Sequence, residues 1–224
     1  MNVTEDDLQK AFNIKLVGVN FNFNEVNGDY PQPHEPIRFC EAVKLAQTSG
    51  DILLKKEDIS CPAARAVLGF EIKDHILMEC AEKLVDAKRF KDVDSAFQVL
   101  SDVPKIRGST SSVLLSTSAT SPDVYVAYLS PVEAMQILQA HQRVFLQPLR
   151  VDITGVAPIC GGCAVRSYIT NEVCISFGCD DSRTHGGISD NMLALGIPFR
   201  KAVTLLRSLK EMKGPEGILP HLAV

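Results

Sequence analysis

Val124-Tyr125-Val126-Ala127-Tyr128-Leu129-Ser130-Pro131-Val132-Glu133 carries the strongest local signal in the chain: a strand that runs into a capped helix. Val124–Leu129 suits a strand, being rich in Val and Tyr. Ser130 is placed as the N-cap, Pro131 as the first helical residue, and Glu133 reaches back from three positions after the cap. The helix is expected to run to about Arg143. Working outward from this unit, the same alternation recurs in both directions.

Upstream, Thr4 caps an expected short helix to Phe12, and Ile14–Val19 is an expected strand. Asn20–Pro36, rich in Asn, Gly and Pro, is an expected loop. Helices follow over Phe39–Ser49, closed by Gly50, and from Pro62 to Gly69, with a short strand Ile52–Leu54 between them. Further helices are expected over about Asp74–Ala87 and Val93–Leu100, then a strand Ser112–Leu115. Downstream of Arg143 come a strand at Leu149–Ile153, the Gly- and Cys-rich segment Gly155–Cys163, a short helix, a strand Val173–Phe177 and a closing helix Pro198–Met212. The pattern implies an α/β fold: a single domain over residues 1–224, a mixed sheet flanked by helices, and a small helical segment near residues 61–100.

The chain has 224 residues, 46% of them apolar and 22% charged, enough to bury a core. A net charge of −4 gives no nucleic-acid footprint. No apolar run is long enough to span a bilayer. The acidic, polar start Met1–Asp7 is the opposite of a secretory signal, so a cytoplasmic location is expected. Absent Trp and scarce Tyr disfavour an aromatic platform for bases or sugars.

Seven cysteines are many for such a chain: Cys40, Cys61, Cys80, Cys160, Cys163, Cys174 and Cys179. The count is odd and no export signal is seen, so a disulfide framework is not expected. Buried thiols, a metal site or a redox pair remain. Thiolates are soft ligands that suit iron–sulfur clusters and zinc. Cys160-Gly161-Gly162-Cys163 is a C-x-x-C whose glycines permit a tight turn, and Cys179 follows the end of a strand. Cys61, before Pro62, and Cys40 both stand at helix starts, where thiolate charge is favoured. Cys80, among Leu77, Ala81 and Leu84, and Cys174, alternating in a strand, have the pattern of core thiols. The spacing matches no standard ferredoxin or zinc-ribbon pattern, so spacing alone assigns no ligands.

Several stretches together resemble a known family. They are Cys40–Ala46 with Gly50 after it; Asp58–Gly69; Pro131–Gln139; and Gly178-Cys179-Asp180-Asp181-Ser182-Arg183 followed by Gly196-Ile197-Pro198. Their order and spacing resemble the family named domain of unknown function 169, found in anaerobic archaea and bacteria, over roughly residues 10–210. The resemblance implies that Cys40, Cys61, Cys160 and Cys179 match the family's cysteines and hold one cluster, like a [4Fe–4S] centre, between loops. It implies no reaction. Cys61-Pro62-Ala63-Ala64 stands in place of Cys-Pro-Gly-Gly, and Ser167 replaces a usual proline; neither change removes an implied ligand.

The loop Asp180–Gly187 directly after Cys179 offers Arg183, a planar donor fork for a carboxylate or phosphate, with Ser182 and His185 beside it. Its other reading is a solvated turn with Asp–Arg pairing. Arg65, one helical turn after Cys61, could offset cluster charge or make a surface ion pair. No phosphate-binding glycine fingerprint, Walker lysine or Ser–His–Asp pattern is found.

The leading expectation is an iron–sulfur protein that works in electron transfer or on a small anionic ligand held by Arg183, Ser182 and His185, with a redox partner protein as the other possible associate. One alternative is a zinc module with Cys160, Cys163, Cys174 and Cys179 as the quartet. Another is a metal-free ligand-binding protein with a reactive Cys160–Cys163 pair.

Overall fold

The computed structural model describes residues 15–26, 28–72, 74–119 and 121–213. The expected helix over Thr4–Phe12 lies outside these residues, as does Ile14 of the first expected strand. In chain order the elements are β1 (Val17–Asn22), α1 (Phe39–Ser49), β2 (Ile52–Leu54), α2 (Pro62–Val67), α3 (Asp74–Asp86), α4 (Val93–Asp102), β3 (Ser112–Ser116), β4 (Val124–Leu129) and α5 (Pro131–Phe145). A π-helical turn (Pro158–Val165) then runs into α6 (Arg166–Thr170), followed by β5 (Cys174–Ser176), α7 (Asp180–Thr184), β6 (Leu193–Pro198) and α8 (Phe199–Lys213).

The strands form one six-stranded sheet in the order β2-β3-β1-β4-β6-β5. All its ladders are antiparallel, with Val19 opposite both Leu115 and Val124, and Val126 opposite Gly196. The parallel pairing expected of a mixed sheet is confined, among the described residues, to the isolated bridge between Ile37 and Ile59.

The opening motif forms as its sequence dictates. The Glu133 carboxylate accepts from the Ser130 amide at 2.6 Å, and the Glu133 amide donates to the Ser130 hydroxyl at 3.3 Å. β4 is buried on both faces. Val124, Val126 and Tyr128 join Val17, Val19 and Phe21 in a core capped by α1, α2 and the π turn. Tyr125, Ala127 and Leu129 join Leu195 and Ile197 in a second core under α5 and α8. The expected helical segment is present: α3 and α4 pack through Ala81, Ala96 and Leu100 into a small third core. Among the described residues no helix is long and apolar enough to cross a membrane.

Three local expectations are corrected. β1 lies three residues further along, because Phe21 and Asn22 pair with Val113 and Ser112 despite the poor strand propensity of Asn. Residues 149–153 form no strand. Leu149 instead packs against the second core, while Asp152 pairs with Arg166. No element is expected over residues 193–197, yet β6 forms there and joins β4 to β5.

Candidate metal centre

Four cysteines stand where a helical turn begins, and the chain around each explains why. Cys40 is the second residue of α1, whose start is fixed by the Arg38 amide donating to the Glu41 carboxylate at 3.3 Å. The buried Tyr128 of β4 donates its hydroxyl to the Cys40 carbonyl at 2.9 Å, tying that turn to the sheet. Cys61 caps α2, with Pro62 pre-set for the first turn, and the amides of Ala64 and Ala63 face its sulfur. Cys160 is the third residue of the π turn. Ala157, in the left-handed region at φ 47°, starts that turn and accepts from the Gly161 and Gly162 amides.

Cys179 caps α7. Its amide donates to the Ser182 hydroxyl at 2.7 Å, and that hydroxyl donates to the Cys179 carbonyl at 2.8 Å. Gly178 precedes it at φ 81°, where a Cβ would stand 2.6 Å from the Ser182 oxygen; only glycine fits. Gly186, after α7, lies against α1: a Cβ there would be 2.9 Å from the Cys40 Cβ and 3.2 Å from its sulfur.

Cys40, Cys61, Cys160 and Cys179 all line one cavity of about 560 Å³. They also sense one another. Burial, then the neighbouring Cys179, pushes the Cys40 thiol up to about 12. Burial likewise raises Cys61, with Cys179 contributing, and raises Cys160 well above the ordinary thiol range, with Cys61, Cys40 and Cys179 adding to it. Without a metal, Cys40, Cys61 and Cys160 therefore hold their protons more tightly than an ordinary thiol. Amides from Glu41, Ala64 and Gly161 oppose the shifts and favour thiolate.

Among the described residues, no group of three or more His, Cys, Asp or Glu side chains is gathered closely enough for one metal ion. A tetrahedral zinc site with Zn–S bonds of about 2.3 Å needs sulfurs about 3.8 Å apart. The four thiols therefore share a cavity without closing on a single point.

The alternative quartet is divided. Cys163 is 0% exposed, does not line the cavity and faces Cys174, which is also buried; burial, then Cys174, raises the Cys163 thiol. The reason is the π turn, which is wider than an α-helix, so residue i+3 falls short of the face of residue i. Cys160 therefore faces the cavity and Cys163 the sheet.

The expected ligand-binding loop also divides. Ser182 lines the cavity, but Arg183 and His185 do not. The Arg183 guanidinium donates to the carbonyls of Phe177 at 2.7 Å and Ser189 at 2.9 Å and pairs with Asp190, so it closes the loop after β5. His185 is an exposed residue at the end of α7. The Arg65 Nε donates to the Ile59 carbonyl, and Arg65 makes no ion pair among the described residues.

Other residues stand in their place. Arg38, Lys83 and Arg89 line the cavity, and so does Cys80, a half-buried wall residue and not a fully enclosed core thiol. Arg38 could have been noticed two positions before Cys40. Lys83 and Arg89 reach the site only through the packing of α3 and α4, which leaves no local signal.

The chain matches the model of the family DUF169, described as “Uncharacterised ArCR”, over residues 10–208. It is similar to the “Uncharacterized protein MJ0308” of Methanocaldococcus jannaschii, at 20% identity over 193 residues, covering 84% of this chain and 83% of the relative. No solved structure matches.

Proposed function

We propose, starting from the premise that this chain belongs to the DUF169 family, that it is a cytoplasmic iron–sulfur protein whose [4Fe–4S] cluster is held by Cys40, Cys61, Cys160 and Cys179. One observation carries the reading. Four thiols from widely separated segments line one cavity, each at the start of a helical turn, while the other buried pair, Cys163 and Cys174, is turned away from it. Free thiols at all seven cysteines accord with a reducing compartment.

When bound, such a cluster supplies one-electron transfer or, at an iron left open, a Lewis acid. The chain's own contribution is positional and electrostatic. Amides of Glu41, Ala64 and Gly161 stabilise the thiolate form of the ligands. Tyr128 fixes the Cys40 turn from below, and Arg38 and Arg89 bring positive charge to the cavity.

Anoxic purification followed by iron, sulfide and zinc analysis tests the proposal. Brown protein with near-equal iron and sulfide is the expected result. Colourless protein with zinc alone, or with neither metal, would overturn it.

A further inference from the structure

The sulfur-bearing walls account for only part of the cavity. A further wall comes from α3 and α4, and it is apolar: Leu84, Phe90, Val99 and Leu100, with Val156 beside them. The whole cavity measures about 560 Å³, within the range of about 300–1,000 Å³ typical of sites for small organic ligands, and this apolar wall bounds the part of it away from the sulfurs. Walls of this composition offer water few partners and offer an apolar body many.

The charged residues at the same cavity are not balanced. Arg38, Lys83 and Arg89 are cations and Asp181 is an acid. Two of the cations are engaged: Arg38 pairs with Asp181 at 3.4 Å, and Arg89 pairs with Asp180. Lys83 makes no ion pair among the described residues, and it stands one helical turn after Cys80, which also lines the cavity.

We infer that this second part of the cavity is a binding site for a small organic carboxylate with an apolar body. Its hydrocarbon part lies against Leu84, Phe90 and Leu100, and its carboxylate meets Lys83. The inference rests on the proposed cluster reading in one respect: the bound molecule lies beside the sulfur-lined wall and so beside the cluster. Apolar contact supplies affinity, and the Lys83 ammonium, which pairs with no acid among the described residues, selects an anion over a neutral molecule of the same shape. Arg183, engaged with two carbonyls, takes no part.

The test is isothermal titration of anoxically purified full-length protein, with its iron content measured on the same sample. The probes are 1-naphthoate and its neutral counterpart 1-naphthylmethanol. Saturable naphthoate binding is expected, with the alcohol weaker by about tenfold. Lys83→Met, at an exposed position, is expected to weaken naphthoate about three- to fivefold without changing the alcohol, and Lys83→Arg to restore it. Equal affinity for acid and alcohol, no binding of either, or indifference of naphthoate to Lys83→Met would each overturn the site. Iron-free protein that still binds naphthoate through Lys83 would overturn the cluster reading and leave the carboxylate site standing. Iron-loaded protein that ignores naphthoate would do the reverse.

Discussion

Cys160 and Cys163 are three residues apart and chemically unlike, one on the cavity wall and one in the core behind it. Cys160→Ser is expected to abolish bound iron. Cys163→Ser is expected to retain iron and visible absorbance while costing about 1–3 kcal/mol for a hydroxyl in an apolar core, read from urea unfolding. Loss of iron from both variants alike would contradict the assignment. A second expectation concerns pH. Cys40 holds its proton up to about 12 in the folded chain, against an ordinary thiol value of 9.0. The folded state therefore binds more protons than the unfolded one across that interval, and Cys61 and Cys160 act in the same direction. This stabilisation is complete below pH 9 and is lost as pH rises toward 12. Urea midpoints of metal-free protein should fall across that window; a flat profile would refute the shift. That Cys40, Cys61, Cys160 and Cys179 lie along one cavity is legible through family resemblance. The opposite orientations of Cys160 and Cys163 are not, because they depend on a turn wider than an α-helix.

Most elements could be read from periodicity and caps. α1 and β4 have the expected bounds, and the box at Ser130 forms as drawn. β6 could not be read, because Ala194, Gly196 and Pro198, poor strand formers, stand between the alternating Leu193, Leu195 and Ile197 and mask their period. The structure explains the glycine. A Cβ on Gly196 would stand 2.3 Å from the Cys163 carbonyl and 2.7 Å from the Ser167 hydroxyl, so the π turn lies directly on β6. Gly196→Ala is thus expected to cost about 1–3 kcal/mol through overpacking, measured by urea unfolding, and to loosen the turn that carries Cys160. An unchanged midpoint would show that the two elements are less closely seated. α7 falls in an expected loop because five residues give too short a pattern; the cap at Cys179 and Ser182 needs the fold before it can be recognised.

Across the whole molecule, the two faces of the sheet have different duties. α5 and α8 cover one with an apolar layer, while α1, α2, the π turn and the outlying α3–α4 pair build the cavity on the other. A ligand bound only by the native state stabilises in proportion to its occupancy. Stripping iron with a chelator is therefore expected to lower amide hydrogen-exchange protection at the starts of α1, α2 and α7 and in α3–α4. The α5 and α8 amides should hold nearly constant. Uniform loss across both faces would mean that the metal does not reside in this cavity. The overall α/β character and the helical segment near residues 61–100 were legible in the sequence; the convergence of remote segments on one cavity was legible only through resemblance. That convergence bears on biosynthesis. Cys40 and Cys179 bracket most of the described chain, and the strand that seats the π turn, β6, comes later still. On the proposed reading the pocket has all its walls only once β6 has left the ribosome, so cluster insertion is expected to follow the synthesis of β6, and nascent chains truncated before β6 should acquire no colour.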